Sequence, residues 1–295
     1  VPELPDVCVY IDALTTHLVG HRLQRIVLRS AFVLRSVEPP VDAVHGQTLL
    51  GVRRIGKRIV LAFPDELFVV LHLMIAGRLR WREAEATLGL GSKLVLAIFE
   101  FEHGRLFFTE AGTKKRASMQ MVRGAAALQA IDRGGLEPLD ATLDQFREAL
   151  VRESHTLKRS LTDPRLFSGI GNAYSDEILH AARLSPLKLT RSLTTEESAR
   201  LYVATRTTLT EWIERLRTRA GGRIPEKVTA FHEDMAVHGR FKAPCPVCGA
   251  PVQRIVYADN ECNYCARCQT GGRLLADRSL SRLLKEDWPR QLEDL

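Results

Sequence analysis

Two Cys-x-x-Cys knuckles, Cys245-Pro-Val-Cys248 and Cys265-Ala-Arg-Cys268, stand 16 residues apart near the end of the chain. That spacing leaves the backbone little choice. A hairpin between the knuckles brings four sulfurs to about 2.3 Å from one tetrahedral Zn²⁺, the geometry of a structural zinc ribbon. Disulfides suit an oxidising compartment, and a redox dithiol needs one motif beside a βαβ unit rather than two in a short hairpin. One structural zinc ion held by Cys245, Cys248, Cys265 and Cys268 is therefore expected. Four thiolates fill the coordination sphere, so such an ion shapes the hairpin and performs no chemistry. Cys8 and Cys262 read as ordinary thiols.

Charge clusters around the same segment. The chain carries 42 Lys and Arg against 35 Asp and Glu, a formal net charge of +7. Between residues 240 and 285, eight of the cations (Arg240, Lys242, Arg254, Arg267, Arg273, Arg278, Arg282, Lys285) face three acids (Asp259, Glu261, Asp277). A solvated basic surface accounts for a modest excess anywhere; a cluster beside a small hairpin points to nucleic acid. With 45% hydrophobic and 26% charged residues the composition excludes a disordered chain and a disulfide scaffold, and 295 residues give a prior of about two domains. The apolar stretch from Ile59 to Ile75 is broken by Pro64, Asp65, Glu66 and His72, so no membrane span is read. Glu3 and Asp6 do not fit a basic secretion signal, and the expected location is the cytoplasm, where the family resemblance given below implies association with the nucleoid.

The periodicity changes twice along the chain. Val7, Tyr10, Ile11, Leu14 and Leu18 recur at helical spacing behind Pro5, predicting one opening helix. Short β-rich runs follow: 25–33, 58–63, 67–75, 94–101 and 105–109, separated by turn signals such as Pro64-Asp65 and His103-Gly104. Many short strands with tight turns predict a β-sandwich or barrel packed with that helix. Beyond Gly134-Gly135 and Pro138, helical spacing dominates, with capping boxes at Thr142/Gln145 and Thr194/Glu197, until Gly221-Gly222 and Pro225 end a long helix. The tail has helical spacing at Leu280, Leu283 and Leu284 and no assigned role.

A glycine-flanked turn, Ser168-Gly169-Ile170-Gly171-Asn172, precedes a further helix. Its glycines permit close backbone approach, and the amides of a helix start carry partial positive charge, so the turn suits a phosphate. Asn172 would add a neutral donor, or else merely cap the helix. Lys158 and Arg165 nearby favour the anion.

Pro2-Glu3-Leu4-Pro5-Asp6, Gly56-Lys57, His72-Leu73 with Gly77-Arg78-Leu79, Gly169-Ile170-Gly171-Asn172 and the two knuckles occur in one order. Together they resemble the formamidopyrimidine-DNA glycosylase and endonuclease VIII family, from Pro2 to about Gln269. The resemblance implies an α+β protein of two lobes with damaged DNA held between them, acting as a monomer. Residues 1–130 would form an N-terminal catalytic β-sandwich with flanking helices. Residues 131–238 would form a helix-two-turn-helix domain, residues 239–272 a zinc-finger hairpin and residues 273–295 a tail. It also implies base-excision repair: the secondary amine of an N-terminal Pro2 attacks the sugar, expels the damaged base and collapses to an iminium, after which the strand is cut by elimination. Glu3 would be the general acid, and Lys57 would assist elimination and bind phosphate. His72 would lie close to the DNA backbone. On their residues alone, Glu3 also reads as a helix-start carboxylate and His72 as a β-core histidine.

Several positions depart from the family's pattern. Val1 precedes Pro2, and a valine start codon written literally would account for it, with a removable Met in the cell. Asn260 stands where the family carries a finger arginine, five residues before the third cysteine. Ile75 stands at the place of a wedge methionine, and the later loop reads Glu110-Ala111-Gly112-Thr113-Lys114-Lys115-Arg116-Ala117, with cations and no Phe. The segment 222–231 is short for a cover over 8-oxoguanine. Ile75, Lys114, Lys115, Arg116, Lys158, Gly171, Asn172 and Asn260 join His72 as expected DNA contacts. The expected substrates are oxidised pyrimidines or formamidopyrimidines rather than 8-oxoguanine. A catalytically weak or inactive binder of damaged DNA is the alternative; a zinc-ribbon protein that contacts proteins leaves Pro2-Glu3 and the glycine turn unexplained.

Overall fold

Pro5 lies in the first turn of α1 (Leu4–Leu18), where a missing N–H costs nothing, and Asp6 accepts the Glu3 N–H at 2.8 Å to close the helix start. Val7, Tyr10, Leu14 and Leu18 are fully buried along one face, as their spacing requires. The computed structural model describes residues 2–83, 92–112, 114–226, 228, 231–257, 260–276 and 289–294. They fall into two units, Val1–Arg133 with Trp212–Thr229, and Gly134–Glu211 with Ala230–Leu295.

In the first unit α1 is followed by β1 (Leu23–Leu28), β2 (Gly51–Ile55), β3 (Arg58–Phe63), β4 (Leu67–His72), β5 (Gly77–Glu83), β6 (Val95–Phe101), β7 (Gly104–Glu110), β8 (Ser118–Arg123) and the short α2 (Ala125–Gln129). They make two antiparallel sheets, β1-β6-β7-β5 and β2-β3-β4-β8. Ile59, Leu61, Val69 and Leu71 of one sheet share a core with Leu79, Phe99, Leu106 and Phe108 of the other and with the buried face of α1. On the second sheet's other face, Val60, Phe68, Val70 and Val122 pack with Leu128 of α2. Both faces of β3 and β4 are thus covered, which is why their sequences are unbroken apolar runs. Ile224 and Val228 add to the first core, and Glu226 accepts hydrogen bonds from Arg80, at 3.3 Å, and from Arg82.

The second unit contains α3 (Leu143–Val151), α4 (Leu157–Thr162), α5 (Asn172–Ala181), most of α6 (Thr195–Ala220), the hairpin β9 (Gln253–Tyr257) and β10 (Asn260–Tyr264), and α7 (Ala266–Thr270). Both capping boxes form. Thr142 and Gln145 exchange bonds of 2.9 and 3.3 Å, and Thr194 and Glu197 bonds of 2.9 and 3.1 Å. Gly221 and Gly222, both at positive φ, stop α6. Residues 277–288, which include Arg278, Arg282, Lys285 and the three tail leucines, lie outside the described residues. Residues 289–294 return to the cysteine segment: Leu274 N–H donates to the Arg290 carbonyl and Leu292 N–H to that of Gly272, both at 2.8 Å. Leu292 packs against Val237, Val252 and the cysteines. No helix of the described residues is long and apolar enough to cross a membrane.

One glycine has no alternative. The Gly77 N–H donates to the Leu73 carbonyl at 2.9 Å, and a Cβ on Gly77 would stand 2.2 Å from that oxygen. Gly77→Ala must open the 73–77 turn, at a cost of about 1–3 kcal/mol. Urea unfolding should show a lower midpoint at an unchanged slope; an unchanged midpoint would mean that the turn yields freely.

Candidate functional site

In the first unit, sheet register gathers the expected residues at one end. The turn Gly56-Lys57 joins β2 to β3, Arg58 pairs with His72 across β3 and β4, and His72 pairs with Ser118 across β4 and β8. The chain then makes the 73–76 turn and starts β5 at Gly77, opposite Glu110 at the end of β7. The run 67–75 therefore does not continue as a strand. Its last three residues form a tip on which Ile75 is 54% exposed. Arg78 clasps this tip, donating to the Ile75 carbonyl at 3.1 Å and to that of Gly77 at 2.6 Å.

The neighbouring loop is organised by one buried carboxylate that no sequence pattern marks. Glu110, 1% exposed, accepts the backbone N–H of Arg116 at 3.0 Å and of Ala117 at 3.2 Å. Lys115 donates to the Glu110 carbonyl, while the side chains of Lys114 and Arg116 are exposed. Thr113 lies outside the described residues. Pro2 and Glu3 are buried at the start of α1, and the Arg78 charge is close enough to stabilise the Asp6 carboxylate. Val1 also lies outside the described residues.

His72 is neutral here. Burial, reinforced by Arg58 and Lys57, lowers its pKa from 6.5 to about 4. A contact to phosphate through this imidazole would thus be a hydrogen bond from a neutral ring. The cations at this sheet end are Lys57 and Arg58, both partly exposed.

In the second unit, the glycine turn ends in Gly171, the N-cap of α5, so Asn172 is the first helical residue and not the cap. Its Nδ2 donates to the Glu261 carbonyl of β10 at 2.8 Å. Lys158 donates to the Asn172 carbonyl and to Asp176, both at 2.6 Å. Arg165 forms a two-point pair with Asp163, at 3.1 and 2.6 Å. Asn260 opens β10 opposite Tyr257; its side chain lies outside what is described.

The most consequential residues were not singled out from the sequence. Asp176, 1% exposed, accepts Lys158 on one oxygen and, on the other, His238 Nδ1 at 2.8 Å and the Asn263 N–H at 3.1 Å. Glu177 accepts three consecutive backbone N–H groups, from Ala236, Val237 and His238, at 2.7 to 2.9 Å. Burial raises its pKa, and these donors oppose the rise. The available signal is an adjacent acid pair followed directly by the apolar residues Ile178 and Leu179.

The four cysteine sulfurs lie within 4.8 Å of one another, with Cys248 and Cys265 at 3.4 Å and Cys245 and Cys268 at 3.9 Å. A tetrahedron of sulfurs around an ion 2.3 Å away has edges of about 3.8 Å, so the set fits a metal ion. Gln269 braces it, accepting the Cys265 N–H at 2.8 Å and donating to the Leu184 carbonyl at 2.9 Å. His180 Nε2 lies 3.3 Å from Cys245 Sγ, and burial lowers the pKa of that ring.

Two family models match this chain: the formamidopyrimidine-DNA glycosylase N-terminal domain over residues 1–116 and the formamidopyrimidine-DNA glycosylase H2TH domain over residues 135–221. The formamidopyrimidine-DNA glycosylase of Desulforamulus reducens is 31% identical over 278 residues, covering 91% of this chain and 99% of its own. The crystal structure of MutM (Fpg) from Thermus thermophilus superposes with a TM-score of 0.76 at 33% identity, over 91% of this chain and 98% of that one. The Lactococcus lactis Fpg, solved with an abasic site containing DNA, shares the fold at 24% identity, with a TM-score of 0.79 over 91% of this chain and 99% of that one. These likenesses make the protein an enzyme of the DNA glycosylase class, one of DNA repair. Within that class, the chain belongs to the formamidopyrimidine-DNA glycosylase family.

Beside Glu3, burial raises the Asp6 carboxyl from 3.8 to about 7. Because the folded-state value exceeds the unfolded one, the stability that this group contributes is complete below about pH 4 and is lost as pH rises through 7. Asp6→Asn removes the titration. The difference in unfolding free energy, variant minus wild type, should grow between pH 4 and 8 in denaturant titrations; a constant difference refutes the shift.

Proposed function

We propose that this glycosylase removes its damaged base through an imine on Pro2 and then cuts the strand as an AP lyase. With Pro2 as the first residue of the mature chain, its secondary amine attacks the anomeric carbon while Glu3 protonates the sugar oxygen or the departing base. The nitrogen lone pair forms the new bond, the base leaves with its bond pair, and ring opening gives an iminium. The iminium acidifies the neighbouring C–H; loss of that proton expels the 3′ phosphate, with Lys57 assisting, and water then frees the proline.

What carries the reading is the placement of Pro2-Glu3 at a buried helix start, with Arg78 beside Asp6 and clasping the Ile75 tip. Ile75 is the apolar wedge of this proposal, and neutral His72 with Lys114, Lys115 and Arg116 faces the backbone around the lesion. Gly171, Asn172 and Asn260 approach phosphates from the second unit, and Lys158 fixes the turn that does so. The domain roles follow: residues 1–130 catalytic, 131–238 helix-two-turn-helix, 239–272 finger and 273–295 a tail, of which Arg290 and Leu292 bond back to the cysteine segment. The four thiolates hold one Zn²⁺, which supplies structure alone. We assign oxidised pyrimidines or formamidopyrimidines, in preference to 8-oxoguanine, as substrates of a monomer working on the nucleoid.

The test uses protein beginning at Pro2, abasic-site DNA and borohydride, which reduces an imine to a permanent cross-link. Wild type should cross-link and Pro2→Gly should not, while both bind duplex with an affinity that falls steeply with salt. Binding without an adduct in wild type makes the chain a damaged-DNA binder instead.

A further inference from the structure

Asn172, Asp176 and His180 recur every four residues, so they lie on one face of α5, and each reaches the cysteine-bearing segment or its hairpin. The first two bond to β10. The third bonds to a sulfur: His180 is 6% exposed, and its Nε2 stands 3.3 Å from Sγ of Cys245. A metal-bound cysteine is a thiolate with no proton to offer, so in that state the imidazole must be the donor. Such a bond withdraws charge from the sulfur and fixes its direction.

We infer that His180 is an outer-sphere support of the metal centre, donating Nε2–H to the Cys245 thiolate and so making α5 part of the site that retains the ion. The inference rests on the zinc reading above. Gln269, by contrast, acts on the Cys265 backbone. Partners of this kind alter metal retention by about 10- to 100-fold.

The experiment uses the full chain loaded with zinc, with metal content measured first and melting temperature recorded for each variant. Zinc release to a colorimetric chelator is then followed for wild type, His180→Phe, which fills the space without a donor, and His180→Gln, which keeps an N–H. His180→Phe should release zinc about tenfold faster or more, with His180→Gln closer to wild type. In the Co²⁺-loaded proteins, the sulfur-to-cobalt charge-transfer band should move to longer wavelength in His180→Phe alone. Release and spectrum equal to wild type in His180→Phe, or equal loss in both variants, overturns the assignment while leaving the zinc reading intact. Wild type that binds no metal overturns both.

Discussion

A carboxylate with almost no exposed surface anchors the second unit. Asp176 divides its two oxygens among an ammonium, an imidazole and a backbone amide drawn from three separate stretches of chain. Leaving any of these groups unpaired in the interior costs about 3–5 kcal/mol for a charge, so the arrangement tolerates little slippage. Glu177 extends the constraint by binding three successive amides of a segment with no regular structure of its own. The consequence is that the glycine turn, residues 236–239 and the cysteine hairpin take their positions from one ten-residue helix.

The first unit solves the same problem by register. Antiparallel pairing fixes which residues meet at a sheet end, and here it brings the β2–β3 turn, the last residue of β4 and the first of β8 together. Buried Glu110 and clasping Arg78 then shape the two loops beyond that edge. Rigid scaffold below and shaped loops above is how a fold holds a reactive group in place.

Much of this was legible in the sequence, for physical reasons. α1, β3, β4, β6 and β7 announce themselves because most of their length is buried, and the capping boxes and knuckles are local patterns. β2 and β5 carry no clear strand pattern: Arg53 and Arg54, and Arg78, Arg80 and Arg82, dilute the apolar signal where one face is open or paired with acids. The Asp176 and Glu177 network was hidden more deeply. Apart from Lys158, 18 residues back, its partners lie 59 to 87 residues away, and adjacent acids on a helix ordinarily signal solvent. Proximity in sequence suggests Lys158 as an anion donor and Asn172 as an anion donor or a cap; in the fold both engage neighbouring protein groups.

The tip between β4 and β5 has an evolutionary implication. Its curvature is set at the base, by the Leu73 carbonyl lodged where a Gly77 side chain would sit and by the Arg78 guanidinium folded back on it, whereas Ile75 itself contributes little burial. Shape and identity are thereby uncoupled at the apex. Descendants of this chain can exchange the apical side chain, and with it whatever the apex probes, without renegotiating how the polypeptide folds.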